Sequence, residues 1–399
     1  MNEPFLSASP IINQLEDSGF QAYFVGGSVR DYLLNRPISD VDIATSATPN
    51  EVKKIFPRTV DIGIEHGTVL VLFHNNSYEI TTFRTEGDYQ DHRRPKEVSF
   101  IRKLGDDLKR RDFTMNAIAM DQNGTLIDPY NGQFAIRNKI IQTVGSANDR
   151  FKEDALRIMR AVRFVSQLSF VIEEETLQAL KEFVSLLKNI AVERIRTEFE
   201  KLLIGENANN AISILLETHL YEYLPGLKNY KSPLERFISL QYKGLNKIEM
   251  WSLLLFTLKL KDKDVEVFLR GWKLPVKEIK EIQQILFYLE KRMKREWALY
   301  DLYLAGRTTL CSTEKLSSVL KGLTEIDSLS YWLQIYDELP IKQRSDMNVT
   351  GKDIIAWFQS EGGPWIREAL LIIERAILAG DIQNDKEKIK EWLIRCSQK

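Results

Sequence analysis

The sequence predicts an α+β protein in which a small mixed-sheet head is followed by an elongated all-α remainder. Two patterns predict the head: a strand, glycine turn, short helix and second strand follow one another within residues 22–47, and an apolar hairpin pattern spans 67–83. The remainder is predicted by apolar positions at helical spacing from about Gly145 onward, with few strand signals. At 399 residues the chain has room for two to four domains.

Composition leaves the binding partner open but excludes several classes of protein. A formal net charge of -1 neither requires nor excludes nucleic acid, because a local basic face can coexist with acidic surface elsewhere. The two cysteines, Cys311 and Cys396, lack the spacing of a disulfide framework or a zinc finger. The N-terminus lacks the basic region of a secretory signal, and the longest apolar run, 252–258, is too short to cross a membrane. We therefore expect a soluble cytoplasmic protein.

The first candidate site lies in the segment that follows a predicted helix at 11–16 and a strand at 22–25. Asp40 and Asp42 are predicted to lie on the next strand, where alternating side chains would direct both carboxylates to one side of the sheet. Such a pair repels unless a cation lies between them. Magnesium is the natural cation, because it prefers carboxylate oxygens and keeps positions open for water and phosphates.

The residues upstream of this pair suit a triphosphate. Gly26 and Gly27 allow the backbone to approach a ligand closely, and the start of the following helix offers free amide groups to an anion. Arg30 adds a charge-assisted contact. An Asp-x-Asp pair alone usually lies on a solvated turn, but the pair combined with Gly-Gly-x-x-Arg-Asp predicts magnesium-dependent phosphoryl transfer.

These motifs, GGSVRD and DVDIAT, resemble the head of the class II, bacterial-type CCA-adding enzymes, tRNA nucleotidyltransferases of the polymerase-β-like superfamily. The resemblance implies template-independent addition and repair of the 3′-terminal CCA of tRNA from CTP and ATP. Pyrophosphate would leave by a two-metal scheme with two Mg²⁺ ions, one activating the RNA 3′ hydroxyl and the other binding the triphosphate. The implied partners are the tRNA acceptor arm and 3′ end, and the implied assembly is a homodimer.

The predicted hairpin provides a further candidate carboxylate. A capping-box pattern at 48–51 predicts the helix before it. The Asn-Asn pair at 75–76 predicts the turn, and Glu79 lies on the returning strand. An exposed strand glutamate is the ordinary interpretation, but the resemblance favours Glu79 as a third catalytic carboxylate, since the family's third acidic residue lies in an equivalent hairpin.

The polar segment from Arg84 to Pro95 has a glycine and no periodicity, which predicts a loop at the mouth of the site. Its charged side chains are also those of a solvated loop: Glu86, Asp88, Asp91, Arg93 and Arg94. The resemblance implies a flexible loop that reorganises the pocket for the final adenosine and that CC-only relatives lack. It therefore points to full CCA addition. His66, beside the hairpin, is expected to be structural or to position this loop.

Residues 107–116 are predicted to be a basic helix end that runs into an apolar strand at 117–120. The structural alternative is a helix C-terminus whose cations interact favourably with the helix dipole. The sequence RRDFTMNA matches the family's second motif, so Arg111 is expected to contact the triphosphate, and Asp112 and Asn116 to orient a ribose or hold the loop.

Nucleotide choice is expected to reside in residues 150–164. Asp154, Arg157, Arg160 and Arg163 recur there at spacings of three, which makes each a neighbour of the next on a helix. The ordinary alternative is a salt-bridged, solvated helix face.

A more specific hypothesis follows from the base edges. Cytosine and adenine both present an amino donor beside an unprotonated ring nitrogen, whereas uracil and guanine present a carbonyl beside a ring N–H. An aspartate that accepts and an arginine that donates would therefore suit C and A alike. Each polar group that a wrong base leaves buried and unpaired costs about 1 to 3 kcal/mol.

Asp154 and Arg157 are the candidates for this pair, and they match the family's EDxxR motif. On an ideal helix each three-residue step drifts by about 60°, so Arg163 is expected to point nearly opposite to Asp154. Arg160 and Arg163 are therefore assigned to the phosphates, to support of the site or to the RNA. The expected nucleotide-binding residues are therefore Gly27, Arg30, Arg111, Asp154, Arg157, Arg160 and Arg163.

The remainder is divided by pattern and resemblance. Residues 192–203 are predicted to be an amphipathic helix like the family's fifth motif, a brace for the nucleotide-reading helix, and 269–275 and 348–353 resemble body and tail segments that grip the acceptor arm. The expected domains are the nucleotidyltransferase head 1–144, the neck 145–205, the body 206–300 and the tRNA-binding tail 301–399.

Two alternatives stay open. A bacterial poly(A) polymerase would share the fold, but residues 61–68 lack the basic run expected at that place in those enzymes. A catalytically inert RNA-binding or scaffold protein is disfavoured by Asp40 and Asp42, because two carboxylates without a cation would lower stability.

Overall fold

The structure is a computed structural model that describes residues 1, 3–74, 76–87, 89–90, 94–95, 98–323 and 327–397. The chain forms two compact units, Met1–Ile238 and Ser239–Lys399. The first combines a sheet with helices and the second is helical, so the predicted α+β class with a mixed-sheet head is confirmed. The division into head, neck, body and tail stays a prediction.

Among the described residues the strands all lie in the first unit: β1 (Ala22–Val25), β2 (Asp42–Thr45), β3 (Thr59–Gly63), β4 (Thr68–Phe73), β5 (Asn76–Thr82), β6 (Arg84–Glu86), β7 (Tyr89–Gln90), β8 (Arg94–Pro95), β9 (Val98–Phe100), β10 (Ala119–Met120), β11 (Leu126–Ile127), β12 (Ile140–Ile141) and β13 (Val171–Ile172). Seven of them form one sheet in the order β11-β10-β1-β2-β5-β4-β3. Only the β2–β5 pairing in that sheet is parallel. The predicted hairpin is the antiparallel β4–β5 pair.

The helices of this unit are α1 (Phe5–Asp17), α2 (Gly27–Leu33), α3 (Pro49–Ile55), α4 (Leu104–Lys109), α5 (Gly132–Arg137), α6 (Ala147–Glu153), α7 (Leu156–Leu168), α8 (Glu174–Phe183), α9 (Val192–Leu203), α10 (Ala208–Glu217) and α11 (Lys231–Ile238). The capping box predicted before α3 is present, with Thr48 and Glu51 exchanging hydrogen bonds. Helix α1 begins six residues earlier than predicted, because Phe5 and Ala8 extend its buried face.

The segment 84–95 differs from the predicted loop. Strand β6 pairs with β9 and β7 pairs with β8, so the segment forms two short antiparallel pairings. Strands of two or three residues are too short for alternation to be visible in a sequence. Asp88, Asp91 and Arg93 lie outside the described residues, as do the side chains of Glu86 and Arg94.

The second unit consists of α12 (Lys247–Thr257), α13 (Asp262–Gly271), α14 (Val276–Arg292), α15 (Leu299–Leu320), α16 (Asp327–Asp337), α17 (Gly351–Phe358), α18 (Trp365–Ala379) and α19 (Lys386–Ser397). Its core includes the buried side chains of Leu302, Leu310, Ile354 and Ile377. Gly306 interrupts α15 with a backbone conformation (φ 74°, ψ 166°) that is open essentially only to glycine. None of the described helices is both long and apolar enough to cross a bilayer.

Candidate active site

A pocket of about 1020 Å³ in the first unit is lined by residues of strands β1, β2, β4 and β5, the start of α2, residues 110–116, α7 and α9. Its charged lining is strongly positive. Lys201 and eight arginines face three aspartates, Asp42, Asp112 and Asp154, and the arginines are Arg30, Arg84, Arg110, Arg111, Arg157, Arg160, Arg163 and Arg194. Such an excess of fixed cations suits a polyanionic ligand.

Strand register places two of the predicted carboxylates side by side, and one of them, Asp42, lines this pocket. Asp42 begins β2, opposite Val25 on β1 and opposite Glu79 on the parallel strand β5. Burial, together with the charges of Glu79 and Asp40, raises the pKa of Asp42 to about 6 against the opposing charge of Arg111. The repulsion expected from the sequence is therefore present. We call Asp40, Asp42 and Glu79 the carboxylate end; of the three, only Asp42 is among the described pocket-lining residues, and the Glu79 side chain is exposed.

The prediction that Asp40 lies on the strand is wrong. Pairing with β1 ends at Val25↔Asp42, because the chain turns away at Gly26, whose φ is 71°. Asp40 is therefore in an irregular segment, where its exposed carboxylate accepts a hydrogen bond from Ser39 Oγ (3.1 Å). It acts on Asp42 through its charge and is not among the described pocket-lining residues.

The carboxylate end fits a divalent ion by its chemistry. It offers the hard oxygen donors that Mg²⁺ prefers, and it holds like charges that a cation would neutralise. Among the described residues, however, no group of three or more His, Cys, Asp or Glu side chains is already arranged to hold an ion.

The backbone at Gly26 approaches this end closely. A Cβ at Gly26 would lie 3.2 Å from Arg111 Nη1 and 3.5 Å from Asp42 Oδ2, whereas one at Gly27 would lie 3.6 Å from Arg30 Nη2. The glycine turn thus joins β1 to α2 and leaves room for the two arginines beside Asp42.

The two phosphate candidates from the head converge on one asparagine. Arg30 Nη1 donates to Asn116 Oδ1 (2.8 Å), and Arg111 Nη1 donates to the Asn116 carbonyl (3.3 Å). Arg30 also pairs with Asp31, and Arg111 with the buried Asp107. Asn116 therefore holds the two guanidinium groups at the pocket wall.

Asp112 is buried and fully engaged within the protein. Its carboxylate accepts from Asn116 Nδ2 (3.1 Å) and from Arg160 Nε (2.7 Å). Burial alone would raise the pKa of Asp112, but the Arg160 charge and the Asn116 hydrogen bond outweigh it and hold that pKa well below its usual range. Of the two roles predicted for this residue, the observed contacts match fixing neighbouring pocket side chains.

The predicted nucleotide-reading helix is interrupted. Helix α6 ends at Glu153 and α7 begins at Leu156, so Asp154 lies in the break, where its Oδ1 accepts from Leu156 N (3.0 Å). This local side-chain hydrogen bond competes with the backbone hydrogen bonds of a continuous helix, and Asp154 is the residue that ends α6. Asp154 Oδ2 accepts from Arg194 Nη2 (2.8 Å), on α9.

Arg157 is held on three sides. It donates to Glu153 Oε2 (2.6 Å), to the Arg110 carbonyl (2.9 Å) and to the Arg150 carbonyl (3.2 Å). Asp154 and Arg157 both line the pocket, as the EDxxR interpretation requires.

The expectation that Arg163 points away from Asp154 is wrong, because Asp154 is not on α7. Arg160 and Arg163 line the same pocket. Arg163 pairs with Glu198 of α9 (3.1 Å), and Arg160 lies farther from the same Glu198 carboxylate (3.9 Å). The Arg163 guanidinium lies 4.0 Å from the centre of the Phe164 ring. Burial, and then the Arg160 charge, lower the pKa of Arg163 to about 10.

Sequence reasoning missed Arg194 and Lys201, which bring α9 into the pocket. The predicted bracing helix is present as α9, and its contacts with α7 include the Glu198 pairs and Ser166 Oγ, which donates to the Leu202 carbonyl (2.5 Å). The charged start of α9, VERIR, was the available signal. His66 also lines the pocket, and its carbonyl accepts from Arg84 at the start of β6, as expected for a residue that positions this segment.

Three family models match the chain: Poly A polymerase head domain over 22–142, Probable RNA and SrmB-binding site of polymerase A over 169–231, and tRNA nucleotidyltransferase domain 2 over 243–393. The chain is 48% identical to the CCA-adding enzyme of Geobacillus sp. (strain WCH70) over 396 residues, 99% of this chain and 98% of that one. It is equally similar, 48% over 394 residues, to the CCA-adding enzyme of Listeria monocytogenes serotype 4b (strain CLIP80459), covering 98% of this chain and 99% of the relative.

Solved structures agree in fold. The Bacillus stearothermophilus CCA-adding enzyme in complex with CTP superposes with a TM-score of 0.92 at 45% identity, over 100% of this chain and 98% of the other. The Thermotoga maritima CCA-adding enzyme complexed with tRNA_CCA has a TM-score of 0.63 at 22% identity, over 99% of this chain and 96% of the other, and shares the fold.

Proposed function

The chain belongs to the CCA-adding enzyme family of tRNA nucleotidyltransferases, and from this premise we propose how its pocket adds C, C and A to tRNA 3′ ends. The observation that carries the proposal is one positively charged pocket whose lining includes both Asp42 and the Asp154–Arg157 pair. A triphosphate beside Asp42 would then present its base to Asp154 and Arg157.

Base selection is assigned to hydrogen-bond pattern. Asp154 would accept from the exocyclic amino group of cytosine or adenine, and Arg157 would donate to the neighbouring ring nitrogen. Both groups are already oriented by other protein groups, so a wrong base cannot easily turn them to suit itself. Uracil and guanine would place a carbonyl against the carboxylate and an N–H against the guanidinium.

Triphosphate binding is assigned to Gly27, Arg30, Arg111, Arg160 and Arg163. Among the described residues, the buried Nε atoms of Arg111 and Arg163 have no hydrogen-bond partner. An unpaired buried donor lowers stability, and phosphate oxygens would satisfy it.

The divalent ions are assigned to Asp40 and Asp42, with Glu79 beside them. Mg²⁺ fits these donors, and two ions would match the expected scheme. When bound, such ions neutralise phosphate charge and favour the ionised form of the attacking hydroxyl. The protein itself holds Asp42 at the register position shared by β1 and β5, and Gly26 keeps the space beside it open.

The test is the incorporation of labelled CTP, ATP, UTP and GTP into tRNA that lacks its last one, two or three residues. We expect CMP on tRNA lacking three or two residues, AMP on tRNA lacking one, and negligible UMP or GMP. Long runs of AMP without CMP would instead match a poly(A) polymerase. No incorporation with any triphosphate would match an inert RNA-binding protein.

The remaining expectations concern assembly and location. The homodimer is checked by light scattering of the purified protein, and the cytoplasmic location by cell fractionation. Contacts of the expected body and tail, 206–300 and 301–399, with the tRNA acceptor arm are checked by crosslinking to tRNA.

A further inference from the structure

Arg194 makes a contact that the reaction scheme above does not use. It lies in the first turn of α9 and lines the pocket, and its Nη2 donates to Asp154 Oδ2 at 2.8 Å. Its side chain is 34% exposed and that of Asp154 17% exposed, so this ion pair is partly shielded from water. A partly shielded pair restrains its members more than a surface pair does.

The two oxygens of Asp154 are thereby held separately. Oδ1 accepts from Leu156 N and Oδ2 from Arg194, which fixes the plane of the carboxylate in the break between α6 and α7. Each carboxylate oxygen can accept more than one hydrogen bond, so Oδ2 keeps acceptor capacity for a base amino group. Without Arg194, one restraint would remain and the carboxylate could rotate about its last bond.

Rotation of this carboxylate would weaken base selection in two ways. The Asp154 carboxylate oxygen would no longer be fixed at the position that the amino group of cytosine or adenine occupies. It could also swing away from the carbonyl of uracil or guanine, which removes the repulsion that rejects those bases. Discrimination between bases needs a rigid acceptor, because a mobile one adapts to either partner.

We propose that Arg194 is a positioning residue for nucleotide choice, which holds Asp154 in the orientation that accepts C and A and rejects U and G. The inference rests on the assignment of Asp154 to base reading. Arg194 acts through Asp154, and its removal changes which base is added more than whether addition occurs.

A second charged residue of α9 allows a comparison with Arg194. Glu198, one turn along α9, pairs with Arg163 and more distantly with Arg160, the two arginines assigned to the phosphates. Helix α9 therefore contacts the base-reading group through Arg194 and the phosphate-binding groups through Glu198. Loss of Glu198 should alter triphosphate affinity for all bases alike, whereas loss of Arg194 should alter the choice among bases.

The experiment compares kcat/KM for CTP and UTP on tRNA lacking its last three residues. In Arg194→Met the CTP-to-UTP ratio should fall at least tenfold, and Arg194→Lys should recover part of it. Glu198→Gln should raise KM for both nucleotides and leave their ratio within twofold of wild type. Arg196→Met removes another α9 arginine, which pairs with Glu200 and does not line the described pocket, and should leave the ratio unchanged.

Asp154→Ala separates this inference from the assignment beneath it. Suppose that the CTP-to-UTP ratio falls in Asp154→Ala but stays within twofold of wild type in Arg194→Met. The proposed role of Arg194 is then wrong, and base reading by Asp154 is supported. If the CTP-to-UTP ratio of Asp154→Ala equals that of wild type, Asp154 does not read the base, and the proposed role of Arg194 is wrong as well. Arg194→Ala is the second truncation should Arg194→Met not fold, with the same tenfold fall expected and the same twofold limit contradicting it.

Discussion

The two ends of the pocket handle charge in opposite ways. At the carboxylate end, burial and repulsion from the neighbouring Glu79 and Asp40 raise the pKa of Asp42, and Arg111 opposes them. At the other end, which we call the reading end, each described carboxylate has an arginine partner: Asp154 has Arg194, Asp112 has Arg160 and Glu198 has Arg163. The protein leaves one end short of positive charge and balances the other internally.

This difference in charge pairing indicates what each end requires. Like charges kept together lower stability unless a cation neutralises them, so the chemistry of the carboxylate end suits the proposed metal ion. Opposite charges already paired change little when a neutral base arrives, so the reading end can compare hydrogen-bond patterns with its groups fixed. The same substitution, carboxylate to amide, should therefore have opposite effects on the stability of the metal-free protein at the two ends.

The largest effect should be a loss of nucleotide addition when a residue of the carboxylate end is substituted. Asp42→Asn should reduce addition of every nucleotide at least a thousandfold, about 4 kcal/mol in the barrier, because a shared metal ligand is lost. Asp40→Ala should abolish every addition as well. Single-turnover incorporation with Mg²⁺ measures both. Asp61→Asn, an exposed head carboxylate paired with Lys53, is the matched control and should retain activity. Full activity in Asp42→Asn would remove the carboxylate end from the reaction.

The next effect contrasts stability at the two ends. Asp112→Asn should lower the free energy of unfolding by about 3 kcal/mol, because Arg160 loses its buried partner. Asp42→Asn should instead raise it by about 1 kcal/mol in EDTA, since a repelling charge is removed. Urea denaturation of each variant at pH 7.5 without metal gives both values. Changes of the same sign would break the comparison.

The backbone at the carboxylate end offers a smaller test. Gly26→Ala should cost about 1 to 2 kcal/mol in stability, because a residue with a Cβ is strained at positive φ. It should also raise KM for CTP about tenfold, since the new Cβ would crowd Arg111. Gly27→Ala, whose φ is not positive and whose nearest contact is 3.6 Å away, is the control with the milder effect expected. Equal effects of the two substitutions on KM would argue against crowding at Gly26.

The last prediction concerns the pH dependence of stability. The pKa of Asp42 is about 6 in the folded protein, above its ordinary value of 3.8. Between these values the folded state holds a proton that the unfolded state releases, so stability falls as pH rises through this window, by about 3 kcal/mol. Urea denaturation in EDTA from pH 4 to 7 should show a contribution of this sign that is absent in Asp42→Asn. Identical pH profiles for the two proteins would contradict the raised pKa.

The carboxylate end was largely predictable from sequence, because its geometry is local. The strand after a glycine turn and the hairpin that carries Glu79 follow from turn residues and alternation, and pairing then brings Glu79 to Asp42. The position of Asp40 was not predictable, since it depends on where β1 stops pairing.

The reading end was predictable in residue type but not in arrangement. The EDxxR motif identified Asp154 and Arg157, yet the helix break at Asp154 involves a local side-chain hydrogen bond to Leu156 N that competes with a strong helical pattern. The partners of Asp154 and Asp112 lie 40 and 48 residues away along the chain. Such pairings arise from helix packing, and local spacing does not encode them.

The central claim is that Asp154 and Arg157 choose the base beside a separate carboxylate end that binds metal. Its most direct test is the pair of dissociation constants for CTP and UTP, measured with Mg²⁺ on wild type and on Asp154→Ala. The account predicts that wild type prefers CTP, that Asp154→Ala loses this preference, and that triphosphate binding by the variant still requires Mg²⁺. An Asp154→Ala protein with the full preference for CTP would contradict it.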